Sequence, residues 1–171
     1  MKKLLLTALL LLPIICYARQ SDVYIGLNSK YDPNNLPHIA LAKTSYTLDA
    51  TDEERKNGDL FMEVLRSDLY RSRYFNISDG MAPVNVQSLA IPLQELKDKN
   101  IGYLAFSEIY PQEDGTWRIH AYLYDTENKN TLLAKVLKPS NKTIRQSAHM
   151  FADLITKLLS GKRGLATTRI A

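Results

Sequence analysis

The sequence predicts an α/β domain: a mixed sheet of about five to six strands, two long helices packed on one face of it, and one short helix. Three observations predict it. Trp117, Ile119, Ala121 and Leu123 alternate with Arg118, His120, Tyr122 and Tyr124, as in a half-buried strand, and strand-like runs at 101–110 and 131–137 flank them. Leu60, Phe61, Val64, Leu65 and Leu69 recur at helical spacing, and so do Ile144, Ala148, Phe151, Ala152, Ile155 and Leu159. No linker, internal repeat or low-complexity run divides the rest of the chain, and 171 residues suit one stable core.

Residues 1–18 stand apart from the fold. Lys2 and Lys3 precede an apolar run, Leu4 to Ile15, broken only by Thr7 and Pro13. Cys16-Tyr17-Ala18 then puts small residues where a signal peptidase reads, so a cleaved secretory leader is expected. The run is short of the ~20 apolar residues of a membrane span. The domain is expected over 19–161, with 162–171 as an exit segment.

Cleavage after Ala18 removes two of the 22 Lys and Arg and none of the 18 Asp and Glu, which takes the net charge from +4 to +2. There is no dense Lys/Arg cluster, so a nucleic-acid partner lacks its electrostatic footprint. Cys16, the single cysteine, leaves with the leader. The mature domain then has no disulfide and no thiolate chemistry, and hydrophobic burial must hold it together.

The elements follow in order. Ser21 to Ser29 alternates Val23, Ile25 and Leu27 against Asp22, Tyr24 and Gly26, a strand pattern. Tyr31-Asp32-Pro33-Asn34-Asn35 is a loop, and His38 to Lys43 a short strand. Thr51-Asp52-Glu53-Glu54 is a capping box, opening a helix to about Arg71. Tyr74 to Ser78 is a strand that Asp79-Gly80 is expected to end. Pro92 to Lys99 is a short helix with Pro92 in its first turn. Ile101 to Tyr110, Trp117 to Tyr124 and Thr131 to Leu137 form an antiparallel meander, with turns at Asp114-Gly115 and Asp125 to Asn130. Ser140 or Asn141 is expected to cap the last helix, and Gly161 to stop it.

Reactive constellations are sparse. His38, His120 and His149 make no pair at metal-ligand spacing, and neither a nucleophile elbow nor a phosphate loop is present. Neither a metal nor a cofactor is therefore expected. His149 and Asp153 stand four apart on the last helix, close enough to touch. As a dyad they would suggest a small secreted hydrolase; the plainer reading is a packing histidine held by that acid. Arg145, four residues before His149, shares the helix face. Asp52, Glu53 and Glu54 belong to the cap. Tyr122 and Tyr124 could form a binding platform for bases or peptides, or one face of a sheet covered by a helix.

The closing stretch carries a longer signature. Arg145-x-x-Ala148-His149-x-x-Ala152-Asp153 leads through Gly161 and Gly164 into Thr168-Arg169-Ile170-Ala171. Together with Asp68-Leu69, Ser72 and Phe75, and with turn residues Asp114-Gly115 and Asp125, this resembles the N-terminal domain of the TolB family. Arg73 and Asn100 stand where that family carries turn glycines, Leu96 and Ala166 replace aromatics, and Lys43-Thr44 replaces a Pro-Phe pair. An arginine in a left-handed position would cost on the order of 1 kcal/mol.

The resemblance implies a non-enzymatic adaptor of the Tol–Pal system in the periplasm. The functions it implies are outer-membrane integrity, constriction at division and bacteriocin import, all by protein contact. It implies that the mature N-terminal segment, Arg19 to Ser29, meets a TolA-like inner-membrane protein through Arg19, Asp22, Val23, Tyr24, Ile25 and Leu27. The alternative for that segment is an ordinary first strand. Arg145, His149, Thr168 and Arg169 would face a following domain. Pal binding would need a downstream propeller, which the chain lacks; the chain reads as a fragment of a longer protein or as a stand-alone periplasmic binding module. No small-molecule substrate is implied.

Overall fold

The structure, a computed structural model, describes residues 35–85, 90–112, 116–138 and 143–168. The expected leader and the expected strand Ser21–Ser29 lie outside the described residues. Within them run β1 (His38–Ala42), α1 (Asp52–Ser72), β2 (Asn76–Met81), α2 (Leu93–Asp98), β3 (Tyr103–Pro111), β4 (Trp117–Asp125), β5 (Asn130–Leu137) and α3 (Ile144–Ser160). The sheet has five strands in the order β2-β1-β3-β4-β5. β1 pairs in parallel with β2 and β3, while β3, β4 and β5 form the antiparallel meander. The expected mixed α/β architecture is thus observed, with five strands among the described residues.

Alternation decides which side chain meets which layer. Ile39 and Leu41 of β1, Ala105 and Ile109 of β3, and Ile119, Ala121 and Leu123 of β4 face the two long helices. Phe61, Leu65 and Leu69 of α1 and Phe151, Ile155 and Leu159 of α3 fill that core. The opposite face carries a smaller core: Leu104, Phe106 and Tyr124 lie under Leu96 of α2, with Met81 and Val84. Tyr124 is buried there, and Tyr122 stacks on Phe106 at 5.0 Å between ring centroids. The tyrosine stripe is therefore built into the covered face at Tyr124 and only half-buried at Tyr122.

Local rules explain the element ends. The Thr51 hydroxyl accepts from the Glu54 amide at 3.2 Å, and the Glu54 carboxylate accepts from the Thr51 amide at 2.7 Å, completing the capping box. Gly58, inside α1, lies under the β1–α1 connection: a Cβ there would come within 2.9 Å of Thr44 and Tyr46 ring atoms. Its carbonyl accepts from the Thr44 hydroxyl at 3.1 Å. Arg73 closes α1 at φ 63° and ψ 14°, and Asn100 follows α2 at φ 54°. Both substituted glycine positions are therefore left-handed, as expected.

Two expectations change. β2 continues through Asp79-Gly80 to Met81, because a register shift opposite Ala40 to Ala42, with Gly80 at φ 85°, absorbs the turn-forming pair inside the strand. The N-cap of α3 is Thr143, which makes no side-chain cap bond; Ser140 and Asn141 lie outside the described residues.

Arg73→Gly is expected to stabilise the fold by about 1 kcal/mol by relieving the left-handed strain. A lower midpoint in urea unfolding would show instead that the Arg73 contact with the Tyr70 ring, 5.5 Å to the centroid, outweighs that strain. Burial holds the His120 imidazole below its ordinary value of 6.5, against the opposing charge of Glu108. The folded protein then binds this proton less tightly than the unfolded chain. The stability involved is complete above the unfolded value and declines as pH falls through it. The drop in Tm between about pH 7.5 and about pH 5.5 should shrink in His120→Asn; an unchanged drop would assign the dependence to other groups.

Candidate functional site

His149, Asp153 and Thr168, singled out in the sequence, meet at the exit of α3. The apolar stripe of α3 faces inward, which turns His149 and Asp153, one helical turn apart, towards the C-terminal end of α1. A groove of about 560 Å³ opens there, lined among others by Asp68, Arg71, His149, Asp153, Arg163 and Thr168.

The His149–Asp153 contact that helical spacing allows, on which both the packing reading and the dyad reading rested, is not formed. His149 Nδ1 pairs with Asp68 Oδ2 of α1 at 2.5 Å. Asp68 is nearly buried, with a side chain 10% exposed, whereas that of His149 is 34% exposed. The pair thus ties α3 to α1 from the groove wall. The physical reason is packing: seating the two helices together brings a carboxylate 81 residues distant closer than the neighbour one turn along.

Asp153 is engaged elsewhere. Its Oδ1 accepts from the Ala166 amide at 2.8 Å, and its Oδ2 from the Thr167 amide at 3.0 Å and the Thr167 hydroxyl at 2.6 Å. The chain reaches this position because α3 stops at left-handed Gly161 and turns back along the helix. Gly164 must lie flat on Asp153: an added Cβ would run into the carboxylate and come within 2.6 Å of the Asp153 Cα. Thr168 closes the turn, its amide donating to the Leu165 carbonyl at 3.1 Å.

The groove carries little reactive chemistry. The hydroxyls of Ser72, Thr156 and Thr168 all donate to backbone carbonyls, of Leu69, Ala152 and Leu165 respectively. No group of three or more potential metal-ligating side chains occurs among the described residues, and none of their helices is long and apolar enough to cross a membrane. The groove surface is held in place by hydrogen bonds.

Of the expected interdomain residues, the structure brings His149 and Thr168 to one groove. Arg145 is exposed on α3 and does not line it. Arg169 lies outside the described residues, and so do Arg19, Asp22, Val23, Tyr24, Ile25 and Leu27. Sequence reasoning missed Asp68 as the partner of His149, and Arg71, Arg163 and Leu165 as parts of the groove. The glycine at 164 was the one available signal, since a buried glycine often marks a close approach. His149→Gln should lower stability by about 1 kcal/mol by removing the bond to a largely buried carboxylate. Denaturation of Asp68→Asn, His149→Gln and the double variant checks this, since additive losses would mean that the pair does not couple.

No family model matches the chain. Among curated proteins it is 32% identical over 110 residues to the Tol-Pal system protein TolB of Aromatoleum aromaticum, covering 64% of this chain and 26% of that protein. It is 29% identical over 115 residues to TolB of Acinetobacter baylyi, covering 67% of this chain and 27% of that protein. Among solved structures it is similar to TolB from Acinetobacter baumannii, with a TM-score of 0.58 and 25% identity over 77% of this chain and 30% of that one. The chain spans about a quarter of the length of the curated relatives it matches. In sequence and in fold alike, this chain is similar to TolB, over a share of that protein consistent with its N-terminal domain.

Proposed function

We propose that this chain is a non-enzymatic adaptor domain of the Tol–Pal envelope system, acting in the periplasm through protein contacts. The similarity to TolB in both sequence and fold carries this reading. The groove chemistry supports it: the imidazole of His149 is tied to Asp68, the carboxylate of Asp153 to the returning chain, and the groove hydroxyls to backbone carbonyls. A hydrolase built on His149 and Asp153 loses the contact it needed.

In this reading the domain contributes to outer-membrane integrity, constriction at division and bacteriocin import. Residues 19–29, exported with residues 1–18 as leader, form the contact with a TolA-like inner-membrane protein, through Arg19, Asp22, Val23, Tyr24, Ile25 and Leu27. Terminal segments suit such a role because they can pair with a partner without unfolding their own domain. His149, Thr168 and Arg169 lie towards a following domain, with Arg145 at its margin. Pal is bound only where a propeller follows.

The test is a pull-down of a TolA-type periplasmic domain by the mature chain and by the same chain lacking Arg19 to Asn28. Binding by the first and loss in the second is expected. Equal binding would move the contact elsewhere, and no binding by either would remove the adaptor assignment.

A further inference from the structure

We infer that residues 163–168 form a latched strap, with Asp153 as the latch that fixes the path by which the chain leaves α3. One carboxylate collects three donors from two consecutive residues, Ala166 and Thr167. Hydrogen bonds to an ionised acceptor are stronger than neutral ones, and two adjacent amides converging on it define the local backbone direction. Three further features enforce the same path. The Ser160 hydroxyl accepts from the Lys162 amide at 3.1 Å, starting the reversal. Gly164 is buried against Asp153 with no room for a side chain. Thr168 bonds back to Leu165 through both its amide and its hydroxyl.

The strap is held mainly by polar bonds: its large apolar side chain, Leu165, is 73% exposed, and only the small side chain of Ala166 packs against the main core. Its seat also connects to the rest of the fold. Asp153 lies one turn along α3 from His149, which is bonded to Asp68 of α1. The strap, α3 and α1 are therefore joined in series by two side-chain contacts on one helix face. On the adaptor reading, a domain attached after the strap would inherit a set orientation relative to α1 rather than swing on a tether. The strap itself does not depend on that reading.

Hydrogen exchange on the full chain tests the latch directly. The Ala166 and Thr167 amides should be protected in the wild type, and Asp153→Ala should speed their exchange at least about tenfold. The amides of Phe151 and Ile155 should be unaffected. Thr167→Val, which removes one donor and leaves both amides, should give a smaller increase. The inference is overturned by unprotected Ala166 and Thr167 amides in the wild type, or by unchanged exchange in Asp153→Ala. Protection lost throughout α3 would also overturn it, because Asp153 would then stabilise the helix rather than the strap. Should Asp153→Ala fail to fold, Asp153→Asn and Thr167→Val decide by the same readout. Spin labels at Tyr70→Cys and Leu165→Cys, with Cys16→Ser, give a second readout: a narrow distance distribution that broadens on loss of the Asp153 carboxylate. Neither measurement involves a partner, so a failed strap and a failed adaptor assignment are told apart.

Discussion

The seating of α3 is the constraint on which the remaining structure depends. Its inward stripe, from Ile144 through Ala148, Phe151 and Ile155 to Leu159, is almost wholly removed from water. Phe151 meets Phe61 of α1 at 6.2 Å between ring centroids, which locks the two helices against each other as well as against the sheet. Each large apolar side chain buried in this way contributes about 1.5–3 kcal/mol. That burial fixes the rotation of α3 about its own axis. A helix turned by one residue position, about 100°, would carry His149 and Asp153 out of the groove together.

With the helix so fixed, the carboxylates of the domain act as acceptors at its joints. Glu54 takes the amide that starts α1. Asp125 takes the amides of Glu127 and Asn128 and shapes the turn between β4 and β5. Asp68 joins α1 to α3, and Asp153 gathers the returning chain. A buried amide or carboxylate without a partner is costly, so these matches select one geometry at each joint. On the proposed adaptor reading, such an arrangement holds the surfaces in place before a partner arrives.

The second face of the sheet follows a different pattern. Near α2 it is covered, with Leu104 and Tyr124 buried. Towards the other end of β3, Tyr110 donates to the nearly buried Glu108, and its ring lies 4.6 Å from that of His120. Burial and this bond both raise the Tyr110 phenol above its ordinary value. The proton therefore stays on the tyrosine and continues to serve Glu108.

Much of this was legible in the residues because it is governed by near neighbours. The capping box spans four residues, and the meander is marked by the alternation from Trp117 to Tyr124 with turn residues on either side, so both could be read locally. The left-handed sites at Arg73 and Asn100 were found through the glycines they replace, whereas Lys129, also left-handed at φ 54°, gave no such cue. The extension of β2 through Asp79-Gly80 was hidden because the shift that absorbs the pair belongs to the pairing with β1. The site shows the same division. Sequence alone determined which residues lie on one face of α3, since helical period sets that face. Only the tertiary structure decided that His149 turns to Asp68 and Asp153 to residues 166 and 167. Those partners are chosen by the packing of one element on another, and a contact across 81 residues leaves no periodic trace in the chain.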